Sequence, residues 1–374
     1  MSIERIPVNE PLITDAAKRY VSEALATGWV SSAGAYIEEF EQKYARYIGV
    51  SHAIYVTSGT AALHLALLSL DVGPGDEVII PDFTMIASAF AVMYTGATPV
   101  FVDVEADTYN IDARLIEARI TPRTKAIMPV HIYGLPCDMD PIMQIARKHG
   151  IAVVEDAAEV HGATYKGKRC GSIGTINAFS FYGNKIITTG EGGMVCTDDD
   201  SLALRVRSLK DLAHSREKRF LHTELGYNYR PTNMQAALGL GQLESIDMFL
   251  QRKRSMAARY KERLSKIPGL RLPVTRDYAE HVYWMYAVLV EDTFDLSRDA
   301  LAKALLERGI DTREFFLPCH SQPACAKASA GRPAECYPVT ESIASRGLYL
   351  PSGLAITDQQ IDRVCECIEE ISSQ

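Results

Sequence analysis

The sequence predicts an α/β protein with a doubly wound, mostly parallel sheet between helices, and two observations lead to this fold class. Helix-like and strand-like segments alternate between residues 53 and 155. Strand-like segments such as Ile151-Ala152-Val153-Val154 are apolar throughout, as expected when helices cover both faces of a sheet. Because a single core rarely extends over 374 residues, we expect a large domain over residues 1–245 and a smaller α+β domain over residues 246–374.

The elements of the large domain follow from apolar spacing in the helices and from short apolar runs in the strands. In chain order we predict helices at 13–26 and 35–48, strands at 53–56 and 77–81, a helix at 84–95, a strand at 99–104, a helix at 113–118, a strand at 126–131, a helix at 140–149 and a strand at 152–155. Ligands of such sheets lie beyond the carboxyl ends of the strands. Residues that follow strands are therefore the first candidates for a site.

A long helix at 234–261 is predicted to lead into the smaller domain. That domain then has a strand at 282–290, a helix at 297–307 and a strand-like segment at 310–316. The closing helix begins with the capping box Thr357-Asp358-Gln359-Gln360, whose side chains satisfy N–H groups at the helix start.

Charge and composition exclude several classes of protein. Lys plus Arg number 39 and Asp plus Glu number 47, so the net charge is -8 and there is no basic stripe for nucleic acid or an anionic membrane. Residues 1–6 lack the basic start and apolar block of a signal peptide, so we expect a cytoplasmic protein. The uncharged stretch 83–102 contains polar residues and is predicted to be a helix, a turn and a strand rather than a membrane span. The 8 cysteines are scattered, which favours reduced structural thiols, and we expect no metal site.

Lys185 lies in the segment with the strongest chemical pattern. Gly183 precedes it, and the β-branched run 186–189 and three further glycines follow it. Glycines allow close approach of the backbone to a bound group, and β-branched residues stiffen the chain between them. Most lysines are solvated surface charges, but this setting favours a lysine that is held in place for covalent chemistry.

Two further segments follow strands and carry polar groups. Ser58-Gly59-Thr60-Ala61 begins a helix after the strand at 53–56, and its unsatisfied N–H groups form an anion site. The alternative is a helix cap that binds nothing. Asp156 follows the strand at 152–155, and the alanines after it leave room for a flat group. The alternative for Asp156 is again a helix cap.

An amine, a carboxylate and an anion site together match the needs of pyridoxal 5′-phosphate. The aldehyde of this cofactor requires an amine, and its ring nitrogen requires a carboxylate that keeps it protonated. Its phosphate requires N–H groups that donate hydrogen bonds. The dinucleotide pattern Gly-x-Gly-x-x-Gly follows none of the predicted strands. The sequence therefore favours pyridoxal phosphate over a dinucleotide.

These segments, with several others, resemble the DegT/StrS family of nucleotide-sugar aminotransferases over nearly the whole chain. The motifs are Trp29-Val30-Ser31-Ser32, Ser58-Gly59-Thr60-Ala61-Ala62-Leu63-His64, Gly73-Pro74-Gly75-Asp76-Glu77-Val78, Gly96-Ala97-Thr98-Pro99-Val100, His131-Ile132-Tyr133-Gly134, Glu155-Asp156-Ala157-Ala158-Glu159, Gly226-Tyr227-Asn228-Tyr229-Arg230 and Tyr283-Trp284-Met285-Tyr286. The resemblance implies the type I fold of pyridoxal-phosphate transferases, with a seven-stranded sheet in the large domain.

The resemblance also assigns roles to residues. It implies that Lys185 binds the cofactor aldehyde covalently and then moves a proton, that Asp156 pairs with the ring nitrogen, and that Glu159 lies by the phenolic oxygen. The residues implied at the phosphate are Gly59, Thr60, Ala61, Ser180 and, from the neighbouring subunit, Asn228. A homodimer with shared active sites follows from this last assignment.

Substrate-binding residues implied by the family are Trp29, Ser31, Arg230, Arg313 and His320. Trp29 lies in a polar loop, where an indole serves as a packing anchor or as a wall of the substrate site. Arg313 and His320 are expected to face the nucleotide or the carboxylate of the amino donor.

Two positions depart from the family pattern. Met85 stands where relatives commonly place an aromatic ring against the cofactor, so a thioether would make that contact; the alternative is core packing on the helix 84–95. Leu317 replaces a histidine that the perosamine synthases, the subgroup most similar to this sequence, often carry. This departure leaves the identity of the sugar open.

The function implied is transfer of an amino group, with L-glutamate as donor and 2-oxoglutarate as its product, to a nucleotide-linked 4-keto-6-deoxyhexose. Such products serve surface polysaccharides, including the O-antigen of lipopolysaccharide. The alternatives are a C3 or C4 aminotransferase acting on a UDP- or dTDP-linked keto sugar and a non-catalytic regulatory protein that binds the cofactor. A sugar 3-dehydratase of the same fold would carry histidine in place of Lys185.

Overall fold

The computed structural model describes residues 4–215, 217–218, 220–222, 224–326 and 336–373. The helices are α1 (Asp15–Thr27), α2 (Ala35–Ile48), α3 (Gly59–Ser69), α4 (Ala87–Tyr94), α5 (Ala113–Ile116), α6 (Met139–His149), α7 (Asp200–Lys210), α8 (Asn233–Leu243), α9 (Ile246–Leu264), α10 (Arg298–Glu307), α11 (Pro323–Ala326), α12 (Pro338–Arg346) and α13 (Asp358–Ile371). The strands are β1 (His52–Val56), β2 (Glu77–Pro81), β3 (Thr98–Val102), β4 (Thr124–Ile127), β5 (Ala152–Asp156), β6 (Thr164–Tyr165), β7 (Lys168–Arg169), β8 (Ile176–Ser180), β9 (Gly193–Thr197), β10 (Leu270–Arg271), β11 (Ala279–Glu280), β12 (Tyr286–Val290), β13 (Arg313–Glu314) and β14 (Gly347–Leu350).

A seven-stranded sheet forms the centre of the fold, in the order β1-β9-β8-β5-β4-β2-β3. Strand β9 is antiparallel to both of its neighbours, and the other strands run in one direction. The predicted mostly parallel sheet is confirmed. Because β1, β2, β5 and β8 run in one direction, their carboxyl ends meet at one edge.

A second, antiparallel sheet has the order β10-β12-β14-β13 and shares an apolar core with α9, α10 and α13. Ile6 belongs to this core as well. Its N–H donates to the oxygen of Gly309 at 2.8 Å, and its oxygen accepts from the N–H of Asp311 at 3.0 Å. The first described residues therefore pack with the C-terminal part of the chain, while the domain division at residue 245 stays a prediction. A third sheet of two-residue strands has the order β11-β6-β7.

Several predicted elements differ from the structure. The strand at 126–131 ends at Ile127, and the strand-like segment at 310–316 contains only the two residues of β13. The helix at 234–261 is two helices, because Ser245 has a non-helical backbone between α8 and α9. The helix at 84–95 begins only at Ala87, which leaves Met85 in the preceding turn. The strand at 282–290 begins at Tyr286, since Tyr283 has a positive φ of 50° that breaks a strand. The capping box at Thr357 is confirmed.

The uncharged stretch 83–102 forms α4 and β3, as predicted. Within the described ranges, no helix combines the length and the apolar character needed to cross a membrane. The cytoplasmic location stays a prediction.

Glu155 fixes the loop that follows β7 to the centre of the sheet. One carboxylate oxygen accepts from the N–H groups of Ile173 and Gly174 at 2.6 and 2.7 Å. The other accepts from the N–H of Gly171 at 2.8 Å and contacts Nε2 of His131 at 2.9 Å. Burial alone would raise the pKa of Glu155, but these hydrogen bonds outweigh it and leave the pKa below its ordinary value.

His131, Glu155 and Cys170 lie close enough together to hold a metal ion. The N–H of Cys137 donates to Nδ1 of His131 at 3.0 Å, so Nε2 carries the proton and donates to Glu155. Each potential ligand atom of His131 and Glu155 is thus engaged in a hydrogen bond. The cluster is a structural link between β5 and the two loops beside it.

We expect Glu155→Gln to destabilise the protein by roughly 3 kcal/mol at pH 7, because an amide nitrogen would face N–H donors in a buried site. A carboxylate with a lowered folded pKa contributes stability above its unfolded pKa of about 4.3 and loses it as the pH falls through the folded value. The difference between wild type and variant in urea unfolding should therefore shrink below about pH 4. Glu38→Gln, at an exposed position, is the control, and a difference that does not change with pH would contradict the role of the charge.

Candidate active site

A cavity of about 490 Å³ opens at the carboxyl edge of the seven-stranded sheet, where the sequence predicted the site. It is lined by Gly59, Thr60, Met85, Asp156, Glu159, Ser180 and Lys185, together with Trp284 and Phe316 from the C-terminal part of the chain. A larger cavity of about 850 Å³ lies near Asp107 and Arg276 on the surface and contains none of the predicted site residues.

Lys185 is held inside this cavity. Its backbone N–H donates to the oxygen of Tyr182 at 2.9 Å, and its side chain is only 10% exposed. Nζ lies 3.8 Å from Oε1 of Glu159 and 3.6 Å from the ring centroid of Trp284. Burial lowers the pKa of Lys185, and the charges of Glu159 and Asp156 act in the opposite direction. The surface-charge alternative is wrong, and the lowered pKa favours a nucleophilic amine.

Asp156 ends β5 and is buried. Oδ2 accepts from the hydroxyl of Ser88 at 2.8 Å, and Oδ1 accepts from the N–H of Ala158 at 3.2 Å. Burial raises the pKa of Asp156, although both hydrogen bonds stabilise the charged form. The chain continues from Asp156 through a turn into β6, so the alternative of a helix cap does not apply.

Glu159 is the second carboxylate beside Lys185. Its Oε2 accepts from the N–H of Tyr133 at 2.6 Å, and Tyr133 presents that N–H from a left-handed backbone with φ 54°. Such a conformation costs free energy in a residue other than glycine and is typical of functional sites. Burial raises the pKa of Glu159 to about 7. Burial thus favours the neutral forms of both Glu159 and Lys185, and the charge of each opposes this effect on the other.

The start of α3 provides the predicted anion site. Ser58 caps the helix, and its hydroxyl accepts from the N–H of Ala61 at 3.1 Å, which engages one of the donors predicted for phosphate. The N–H groups of Gly59 and Thr60 lie in the first turn, where an α-helix offers no internal partner. A Cβ atom on Gly59 would lie 2.7 Å from Cβ of Ser180. Only glycine thus lets the helix start approach Ser180 this closely.

Met85 is half exposed, at 48%, in the turn before α4 and lines the cavity. Its sulfur accepts from the N–H of Ala87 at 3.1 Å. The core-packing alternative is therefore wrong, and contact between the thioether and a ligand in the cavity stays a prediction.

Four predicted residues lie outside this chain's cavity on exposed segments. Trp29 is 60% exposed, and the backbone oxygens of Trp29 and Ser31 accept from Asn233 at 2.7 and 2.6 Å. Asn228 is exposed and accepts from Nε of Arg230 at 3.0 Å. Because the family places Asn228 in the neighbouring subunit's site, this position agrees with the expectation but does not test it.

Arg313 and His320 are not brought to the cavity either. Arg313 is exposed on β13, beside Asp311. Nδ1 of the His320 ring lies 2.6 Å from Oδ2 of Asp82. The backbone N–H of His320 donates to Oδ1 of Asp82 at 2.8 Å. His320 therefore ties the segment after β13 to the end of β2. Leu317, the other departure from the family pattern, is exposed.

Sequence reasoning missed two residues that shape the site. Ser88 supports Asp156 from within the apolar helix α4, and a hydroxyl in an apolar helix that follows a strand is a signal that could have identified it. Trp284 stood in a recognised motif without a role, and its place over Lys185 depends on a contact between residues far apart in the sequence.

These residues fit pyridoxal phosphate. Lys185 would hold its aldehyde, and Asp156 its ring nitrogen. The approach of Gly59 to Ser180 leaves helix N–H groups and a hydroxyl at one place for its phosphate.

Comparison with known proteins agrees with this fit. Residues 11–369 match the DegT/DnrJ/EryC1/StrS aminotransferase family. The chain is 46% identical over 371 residues to the GDP-perosamine synthase of Caulobacter vibrioides, which covers 99% of both chains. It is 42% identical over 339 residues to the dTDP-3-amino-3,4,6-trideoxy-alpha-D-glucose transaminase of Streptomyces venezuelae, which covers 90% of this chain and 87% of that protein.

Solved structures of aminotransferases are also similar to this chain over nearly its whole length. DesV from S. venezuelae superposes with a TM-score of 0.91 at 38% identity, over 99% of both chains. Spr1654 from Streptococcus pneumoniae, in its PLP form, superposes with a TM-score of 0.92 at 29% identity, over 99% of both chains. The cofactor and the fold expected from the sequence are confirmed.

We expect Met85→Tyr to change cofactor affinity by less than about tenfold, since a thioether and an aromatic ring make contacts of similar strength with a flat group. The stability of the cofactor-free protein should change by less than about 0.5 kcal/mol because Met85 is half exposed. Ala89→Met, at a fully buried position of α4, is the control and should cost roughly 1–3 kcal/mol by overpacking. A stability loss of that size for Met85→Tyr, with unchanged affinity, would contradict the cavity position.

Proposed function

Because this chain belongs to the DegT/DnrJ/EryC1/StrS aminotransferase family, which uses pyridoxal phosphate, we propose that it aminates a nucleotide-linked keto-deoxy sugar. The observation that carries this proposal is the meeting of Lys185, Asp156 and the α3 anion site in one cavity. An amine with a lowered pKa, a buried carboxylate and first-turn N–H donors are the groups that such a cofactor requires.

Each residue then has a defined task. When bound, the cofactor supplies an electron sink that makes a carbon-bound proton acidic. Lys185 holds the cofactor and, when its amine is free, takes and returns that proton. Asp156, with Ser88 behind it, keeps a positive charge on the ring nitrogen. Glu159 receives or gives the proton that Lys185 exchanges, since its pKa is raised to about 7 and it lies 3.8 Å from Nζ.

The substrate we propose is a GDP-linked 4-keto-6-deoxyhexose, with glutamate as the amino donor. Support comes from the 46% identity to a GDP-perosamine synthase over the whole chain. The 42% identity to a dTDP-sugar transaminase favours a second candidate, amination at C3 or C4 of a dTDP- or UDP-linked keto sugar. The product of either reaction would serve a surface polysaccharide.

We also propose a homodimer with composite active sites. The exposed Asn228 and the half-buried Arg230 lie outside the cavity of their own chain, which supports this arrangement. The half-buried pair Tyr227 and Tyr229 stack with ring centroids 5.2 Å apart and pack against His64 of α3, which holds the segment with Asn228 at the surface.

A panel of GDP-, UDP- and dTDP-linked keto sugars assayed with glutamate tests the substrate. We expect turnover with the GDP-linked 4-keto-6-deoxyhexose to exceed that with the other sugars, and Lys185→Ala to lower it by more than about 10²-fold because the general base is lost. Lys210→Ala, another buried lysine but outside the cavity, is the control for loss of a buried amine. Preference for a dTDP- or UDP-linked sugar would establish the second candidate, and a protein that binds the cofactor but aminates no sugar would be a regulator.

Mixing two inactive variants tests the composite site. Lys185→Ala removes the amine from one chain, and Asn228→Asp should inactivate the neighbouring site by repelling the phosphate. After subunit exchange, about a quarter of all sites regain both native residues by random pairing of a symmetric dimer. We expect activity to return to about that fraction; failure to recover, once exchange is verified, would place Asn228 and Lys185 in one chain's site.

A further inference from the structure

The indole of Trp284 lies against the amine of Lys185. The ring centroid is 3.6 Å from Nζ, and Trp284 is 4% exposed. Nε1 of the indole donates to the backbone oxygen of Asn184 at 2.8 Å, the residue that precedes Lys185. The ring is therefore fixed to the lysine segment along its edge, while its face meets the amine.

A second lysine fixes the backbone of Trp284. Nζ of Lys253, on α9, donates to the oxygen of Trp284 at 3.0 Å and to the oxygen of Ser352. Lys253 is 2% exposed, and burial lowers its pKa to about 7. Burying an amine costs free energy even when it is hydrogen-bonded. The presence of Lys253 here therefore indicates that the protein requires the backbone of Trp284 to be held in this position.

The loop that supports Glu159 also meets Trp284. Gly134 has a φ of 101°, and a Cβ atom there would lie 2.7 Å from the nitrogen of Trp284. The N–H of Val282 donates to the oxygen of Gly134 at 3.0 Å. Because Tyr133 in the same loop donates to Glu159, one loop contacts both the carboxylate and the backbone of the indole residue that lie near the amine.

We infer that Trp284 is a positioning residue that holds the free amine of Lys185 through its ring face, and that Lys253 keeps the indole in place. This inference rests on the proposed function, in which Lys185 needs a defined resting place whenever its amine is free. An aromatic face attracts an ammonium group. The other titratable groups that act on the amine are Glu159, Asp156 and His161, and all three remain in the variants below.

Competitive acetylation of the cofactor-free protein, followed by peptide mass spectrometry, measures the pKa of Lys185 without any reaction of substrate. We expect Trp284→Leu to lower that pKa by about half a unit to one unit, because the attraction of the ring for the ammonium is lost. Trp284→Phe should cause a smaller decrease, since it keeps an aromatic face. Phe294→Leu is the matched control, because Phe294 is a buried aromatic residue outside the cavity, and it should leave the pKa unchanged.

Lys253→Met tests the second part of the inference. It should lower the pKa of Lys185 in the same direction, and the double variant with Trp284→Leu should show no further decrease, because both changes remove the same contact. If Lys253→Met does not fold, as judged by circular dichroism, the inference is tested by the pKa of Lys185 in Trp284→Leu compared with that in Trp284→Phe.

An unchanged or raised pKa of Lys185 in Trp284→Leu would overturn the inference. If the indole only excluded water, its removal would let water reach the amine, which would favour the charged form and raise the pKa. Since the labelling uses neither cofactor nor substrate, this failure is distinct from failure of the proposed function, which the sugar panel detects.

Discussion

The burial of one amine beside two carboxylates is the constraint on which the rest of the site depends. Charged groups out of water are costly unless each has a partner, and the fold supplies those partners at fixed positions. Ser88 and Ala158 donate to Asp156, Tyr133 donates to Glu159, and the indole of Trp284 meets Lys185. The left-handed backbone of Tyr133 is part of this arrangement, because it directs an N–H group to the carboxylate oxygen of Glu159 that does not face Lys185.

Much of the fold and the centre of the site could be predicted from local patterns. Apolar strands and their spacing identify the parallel sheet, and the rule that ligands lie at the carboxyl ends of strands collects Thr60, Met85 and Asp156 at one edge. Of the glycines around Lys185, Gly190 has a positive φ of 79° and Gly193 allows close approach to the backbone of Ser58. These features depend on neighbours in the sequence and on one general property of parallel sheets.

What could not be predicted depends on contacts between distant residues. Trp284 reaches Lys185 from about a hundred positions away. Its place depends on the left-handed backbone of Tyr283 and on the close approach of Gly134 to this segment. The contact of His320 is a further example. Its ring lies against Asp82 at the end of β2, a partner that no local pattern identifies, and its role in ligand binding stays a prediction. The break between α8 and α9 likewise lies within a continuous helical pattern.

The pairing of Ile6 with Gly309 and Asp311 has a consequence for the order of events during synthesis. A ribosome adds about 5–20 residues per second, so residue 6 emerges roughly 15–60 s before the segment that it pairs with. Asn9, three residues on, donates to the backbone oxygen of Asn184, the residue before Lys185. The amino-terminal segment therefore cannot pair with Gly309 and Asp311 until most of the chain has been made. The geometry around Lys185 is completed late, when this segment meets the C-terminal part of the chain.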